Sequence, residues 1–218
     1  MVTISHLVKR IINNKPLLYE ALSKDIINYP NLAEHIKDEL EAELGSKVKG
    51  PAVVMALRRF RETIKKKEDV KVPLKFKSQI IMKSGLCDVT FVRSPELLRK
   101  LKSVYDLINY DTGETLNVIY GNYEITIVAE EKHLKEIITL LKNEKKINLE
   151  HNLVSLAMSF SKEFLYTPGI LATVIRELFW ENINIYENIS TMTEVIFIVH
   201  KMDAVRAYNC LQRLIDKR

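Results

Sequence analysis

Two hydrophobic periodicities divide the chain. Over residues 1–72 there is no strand-like alternation, and apolar positions recur at helical spacing. Helices are predicted over 3–27, with an irregularity near Lys15-Pro16, over 31–44 and over 51–66. Asn31, following Tyr29-Pro30, is the expected N-cap of the second helix and Gly45 its stop. In the third, Val53, Leu57, Phe60 and Ile64 form the stripe to be buried. Beyond residue 73, short apolar runs alternate with amphipathic stretches. Over 153–160, Val154, Leu156, Met158 and Phe160 alternate with Ser155, Ala157 and Ser159, so a strand here has one large apolar face and one face of small residues able to admit a second layer or subunit.

The stretch after this strand carries the most information. Thr167-Pro168-Gly169-Ile170-Leu171 opens a predicted helix in which Ile170, Leu171, Val174, Ile175, Leu178 and Phe179 share one face. Proline is tolerated at a first helical turn, and glycine leaves the unpaired N–H groups there open to an anion. Asn182 is the expected left-handed C-cap, before Ile183-Asn184-Ile185. A strand follows over 194–199, then a helix over 203–215 that buries Ala204, Ala207, Tyr208, Leu211 and Ile215. The same order occurs upstream when Ser94-Pro95-Glu96-Leu97-Leu98 is set beside Thr167-Pro168-Gly169-Ile170-Leu171: a strand near 87–93, a helix through Ile108, strands over 115–120 and 123–129, and a helix over 131–142.

On these residues, 152–216 resembles the ACT domain, the amino-acid-binding regulatory module of aspartokinases and other biosynthetic enzymes, and the upstream repeat resembles a divergent first ACT unit. The resemblance implies ferredoxin-like βαββαβ units, with effectors held where the first loop and helix of one unit meet a neighbour. The expected architecture is α+β: a three-helix domain (1–72), a first ACT unit (73–150) and a second (151–218). After the helix over 203–215 no residues remain for the second unit's fourth strand, so that strand is absent or another segment supplies it. Glu96 stands where the second unit has Gly169 and brings a negative charge to the place of a ligand carboxylate. The ligand is therefore expected at the second loop, with the N–H groups of Gly169, Ile170 and Leu171 on its carboxylate. Thr167 is a candidate for the same site or a simple helix cap. Asn184 or Asn188 would accept the ligand's ammonium. Thr191 and Thr193, with Ser190 and Glu194, would line the pocket or form an ordinary turn. Trp180, on the polar side of its helix, marks a subunit contact or a local packing position.

Charge changes the picture of the helical third. The segment 31–44 carries Glu34, Asp38, Glu39, Glu41 and Glu43 against Lys37 alone, whereas 47–77 holds eleven Lys or Arg and three acids, a surplus larger than the whole chain's +5. The first domain resembles a helix-turn-helix or winged-helix unit with 51–66 as recognition helix. Lys47, Lys49, Arg58, Arg59, Arg61 and Lys65 are its candidate phosphate contacts, with Arg58, Arg61 and Lys65 on one exposed face. Against this, Gly45 to Gly50 is longer than the usual turn. The alternative is a packing or dimerising appendage with a solvated basic face.

Composition excludes several classes. At 218 residues and 47% apolar content the chain is an ordinary globular protein with no run long enough to span a membrane and no signal-peptide core; a cytoplasmic location is expected. Cys87 and Cys210 have no paired spacing, and His6, His35, His133, His151 and His200 are scattered. Neither metal, cofactor nor enzymatic activity is expected: GxxxxGK, GxGxxG, GxSxG and HExxH are all missing. The leading expectation is an amino-acid-responsive DNA-binding transcriptional regulator; the alternatives are a stand-alone regulatory subunit of a biosynthetic enzyme such as an aspartokinase, and an ACT scaffold that binds no ligand. In each, a homodimer or larger homo-oligomer is expected.

Overall fold

A computed structural model of the chain describes residues 3–68, 79–162 and 166–216, without the side chains of 65–68. The chain divides into two compact units, Met1–Pro73 and Leu74–Arg218.

The first unit is helical: α1 (Ile4–Asn13), α2 (Pro16–Ser23), α3 (Tyr29–His35), α4 (Lys37–Leu44) and α5 (Gly50–Glu68). Among the described residues five helices stand where the sequence predicts three. Pro16 starts α2 where a proline belongs, at the first turn, and so breaks the predicted helix over 3–27 in two. The predicted helix over 31–44 is interrupted at the buried Ile36, which joins α3 to α4. The cap also differs: Asn28, not Asn31, closes the start of α3, its side chain accepting from Asn31 N at 3.0 Å. Gly45 ends α4 in the left-handed conformation. The stripe Val53, Leu57, Phe60 and Ile64 is buried, against Leu7, Ile11, Leu32 and Leu40 among others.

The second unit is a six-stranded antiparallel sheet with four helices: β1 (Ile80–Val92), α6 (Pro95–Tyr105), β2 (Leu116–Tyr120), β3 (Glu124–Glu130), α7 (Leu134–Leu140), β4 (Lys146–Ser159), α8 (Ile170–Trp180), β5 (Ile185–Ser190), β6 (Glu194–His200) and α9 (Ala204–Asp216). The strand order is β2-β3-β1-β4-β6-β5. The two central strands are long enough to serve both halves. Residues 86–92 of β1 pair with β3 and with 146–153 of β4, while 80–84 of β1 pair with 154–158 of β4, whose other side pairs with β6. The start of β1, upstream of the entire first half, thus takes the place beside β4 expected for the second half's fourth strand. No boundary at residue 150 separates two bodies, because β4 runs through it. Gly85 and Asn152, both at positive φ, mark the crossing, where the β1–β4 register shifts.

Each half covers its sheet with two helices. In the first, Leu97, Leu101, Val104 and Ile137 pack on Val89, Phe91, Ile125 and Ile127. In the second, Ile170, Val174, Leu178, Ala207 and Leu211 pack on Val154, Leu156, Phe197 and Val199. On the opposite face Leu86, Val128, Leu153 and Ile198 form a separate apolar cluster with Ile119 and Tyr186, so the helix-free faces of the two halves are brought against each other.

Candidate functional site

The two loop-to-helix junctions that the repeat aligns are built differently. At α6, Ser94 is a working cap: its Oγ accepts from Leu97 N at 2.9 Å and donates to Glu144 Oε2 at 2.8 Å. Lys100 binds the other oxygen of the same carboxylate. The lysine, and then the serine hydroxyl, hold the Glu144 carboxyl below the usual carboxylate range. This junction already contains its own anion.

At α8 the helix begins at Ile170, two residues later than the sequence suggests, and Pro168 lies in the turn before it. Gly169 is the N-cap, with φ +85°, and no side chain caps the helix. Its carbonyl accepts from Thr173 N and Oγ1, both at 2.9 Å. Open space surrounds the position a Cβ would occupy at Gly169. Ile170 is buried and Leu171 half-buried against the core, so their side chains fix the helix while the first-turn N–H groups, which have no intrahelical acceptor, point back toward the loop.

The structure gathers only part of the predicted site. Thr191 and Thr193 lie in the β5–β6 turn, at the same end of the sheet as this loop, since Phe160 N donates to Thr193 O at 2.7 Å and Ser159 pairs with Glu194. Thr167 is half-buried just before Gly169. Asn188 is exposed midway along the edge strand β5, opposite Phe197. Asn184 follows the far end of α8, about 16 Å of helix rise away from its start. Asn182 has the left-handed conformation expected of it. Trp180 is exposed and stacks edge-on with Phe179, centroids 5.4 Å apart.

In the helical unit, Lys47, Lys49 and Arg59 are exposed, with Val48 N anchored by Glu41 Oε1 between the two lysines. The predicted common face of Arg58, Arg61 and Lys65 is not built. Arg61 is half-buried and ion-paired with Asp25 at 3.2 Å, and Arg58 stacks over the Tyr29 ring at 5.5 Å. The side chains of Lys65, Lys66 and Lys67, and Lys71, Lys75 and Lys77 altogether, lie outside the described residues.

Sequence reasoning missed the polar interior of the sheet's helix-free face. Asp88, Thr90, Thr126 and Ser155 are all buried there. Thr90 and Thr126 share a hydrogen bond of 2.9 Å. Burial, reinforced by the carboxylates of Glu187 and Glu150, pushes Asp88 up to about 6. The alternation of Asp88 and Thr90 with Val89 and Phe91 was the available signal. Cys87 and Cys210 are buried, and burial pushes both thiols up to about 11, which leaves them unreactive packing residues. Among the described residues no three His, Cys, Asp or Glu side chains are placed to hold a metal ion, and no helix is long and apolar enough to cross a membrane.

No family model matches the sequence, and no curated protein does. The fold is similar to solved aspartate kinases and their regulatory parts. The aspartate kinase of Synechocystis superposes with a TM-score of 0.54 at 14% identity, over 66% of this chain and 28% of that one. That of Clostridium acetobutylicum gives 0.53 at 20% identity, over 62% and 34%. The regulatory subunit of aspartate kinase from Thermus thermophilus gives 0.50 at 10% identity, over 64% of this chain and 97% of the subunit. The chain thus spans about a third of the Clostridium enzyme but nearly all of the Thermus subunit, and the matched share corresponds in length to Leu74–Arg218. This unit has an ACT-like α+β fold.

Proposed function

We propose that the chain is an amino-acid-sensing regulatory protein that acts in trans on a biosynthetic enzyme such as an aspartokinase. The observation that supports this reading is that 64% of this chain, a share about equal in length to the sheet-containing unit, covers 97% of the aspartate kinase regulatory subunit. The effector's carboxylate sits on the N–H groups at the start of α8, at Gly169, Ile170 and Leu171, with Thr167, Thr191 and Thr193 around it. Asn188 and Asn184 reach an effector there only from a neighbouring copy, because in one chain they lie midway along and at the far end of the sheet. Two copies paired edge to edge supply that neighbour. Residues 1–72 form the surface that docks on the enzyme. Binding regulates only through a difference in affinity between two arrangements of the subunits.

A thermal-shift panel of the twenty amino acids at millimolar concentration tests the reading. A ligand at about a hundred times its dissociation constant adds roughly 2.7 kcal/mol, a shift of several degrees for a chain of this size. One or a few related amino acids raising the midpoint supports the proposal; none doing so leaves an ACT scaffold. A second reading, a ligand-responsive DNA-binding regulator, draws on the exposed Lys47, Lys49 and Arg59. Loss of duplex affinity on changing these three to Ala, with a reduced salt slope, favours it, and no affinity of the unaltered protein at low salt removes it.

A further inference from the structure

The face of small residues on β4 floors a hollow of about 330 Å3. Ser155 and Ala157 form the base, with their cross-strand partners Lys83 and Ile81 on one side and Ile196 and Glu194 of β6 on the other. Tyr110 and residues 114–117 of the other half of the sheet close over it. This volume suits one small metabolite. The hollow exists because positions 155 and 157 carry almost no side chain.

Its charges are arranged for a particular kind of guest. Lys83 Nζ donates to Gly113 O at 2.6 Å and to Thr115 Oγ1 at 3.3 Å, so its described partners are neutral oxygens that leave the positive charge uncompensated. Glu114 is already engaged by Lys132, His133 and Asn109 N. Glu194, in contrast, lines the hollow with no hydrogen bond or ion pair to its carboxylate among the described residues. The strand partners of Lys83 and Glu194 on β4 are Ser155 and Ser159. Those four residues separate the two charged positions by about 13 Å along the strand, and two strand spacings add roughly 9–10 Å across it. The two side chains therefore converge from opposite corners, too far apart for the adjacent charges of a simple α-amino acid to meet both.

The geometry points to a binding site for a small zwitterion whose carboxylate and ammonium stand at opposite ends of a short aliphatic chain, an ω-amino or basic amino acid. Lys83 and Thr115 receive the carboxylate, Glu194 the ammonium, and Ile81, Ala157 and Ile196 the methylenes. This site is on the helix-free face and is independent of the effector site at α8. Because its walls come from both halves of the sheet, its occupant clamps one half to the other.

Titration calorimetry on the full chain with 6-aminohexanoate as probe, and hexanoate and hexylamine as single-charge controls, tests the assignment. The expected result is binding of the zwitterion, with each control at least tenfold weaker. Glu194→Gln and Ala157→Leu should each weaken binding at least tenfold, and Gly169→Asp should leave it unchanged. If Ala157→Leu fails to fold, Glu194→Gln decides. No binding of the probe at millimolar concentration, equal binding of the controls, or an unaltered affinity in Glu194→Gln overturns the proposal. Loss of 6-aminohexanoate binding in Gly169→Asp, with Glu194→Gln unaffected, assigns the probe to the α8 loop and also overturns it.

Discussion

The starts of α6 and α8 occupy equivalent places in the two halves of one sheet, yet one is chemically closed and the other open. At α6 a serine caps the helix, and a carboxylate from the loop before β4, held by that serine and by Lys100, fills the space in front of it. At α8 a glycine in the left-handed conformation turns the chain into the helix without lending it a side chain. A helix start needs its first N–H groups satisfied, and there are two ways to do so: from within, which gives rigidity, or from outside, which gives a receptor. The two halves share an order of elements, and their helix starts differ in whether a side chain satisfies them.

Gly169→Asp is the substitution that should most sharply break the difference, since it places a carboxylate where the proposed effector's own would sit. Juxtaposed like charges cost several kcal/mol, so effector affinity should fall about a hundredfold or more. Gly169→Ala is the control: it adds backbone strain of roughly 1–2 kcal/mol at this positive φ without the charge, and calorimetry should show much weaker loss of binding. An equal loss in both variants would mean that the site depends on the shape of the turn rather than on its charge.

Glu144→Ala should destabilise the fold by about 2 kcal/mol at pH 7, because it leaves Lys100 and Ser94 without their shared acceptor. The Glu144 carboxyl titrates below the usual carboxylate range in the folded state, so its contribution is complete above that range and is lost as pH falls through it. The unfolding midpoints of the native chain and of Glu144→Ala should therefore converge in acid. Asp88 provides the opposite sign on the same sheet. Its folded value of about 6 lies above the ordinary 3.8, so the native chain loses stability as pH rises from about 4 to 6. Asp88→Asn should remove that slope and gain about 1–2 kcal/mol at pH 7, less whatever the Thr90 hydrogen bond contributed. The smallest effect is expected from Ser94→Ala, about 1 kcal/mol for a lost cap, read from urea unfolding with an unchanged slope.

Much of this architecture is legible in the sequence, and the failures are informative. The strands and helices beyond residue 85 follow from apolar periodicity, because each has one face to bury. What periodicity does not reveal is that β1 extends back to Ile80 and β4 back to Lys146, since 80–84 and 146–150 present mixed faces whose burial depends on partners far along the chain. In the helical unit the stripe of α5 was readable, but the breaks at Pro16 and Ile36 depend on how short helices pack around it. The sequence placed a glycine turn before α8, and the structure has it at Gly169. The sequence did not separate Asn184 from it, because a helix carries that residue to the other end of the sheet. It also placed Arg61 on the free face because position 61 is helically adjacent to Arg58, whereas the reach to Asp25 is a tertiary fact.

The shared use of β1 imposes an order of events on synthesis. Residues 80–84 leave the ribosome early, but their strand partners, down to Met158, come only after the whole first half has been made. At about 5–20 residues per second this segment, whose strand partner is β4, waits roughly 4–16 s for it. During that wait Ile80, Ile81 and Met82 are an apolar edge in search of a partner. Residues 86–92 find β3 sooner, but their second partner, residues 146–153 of β4, comes only just before that of 80–84.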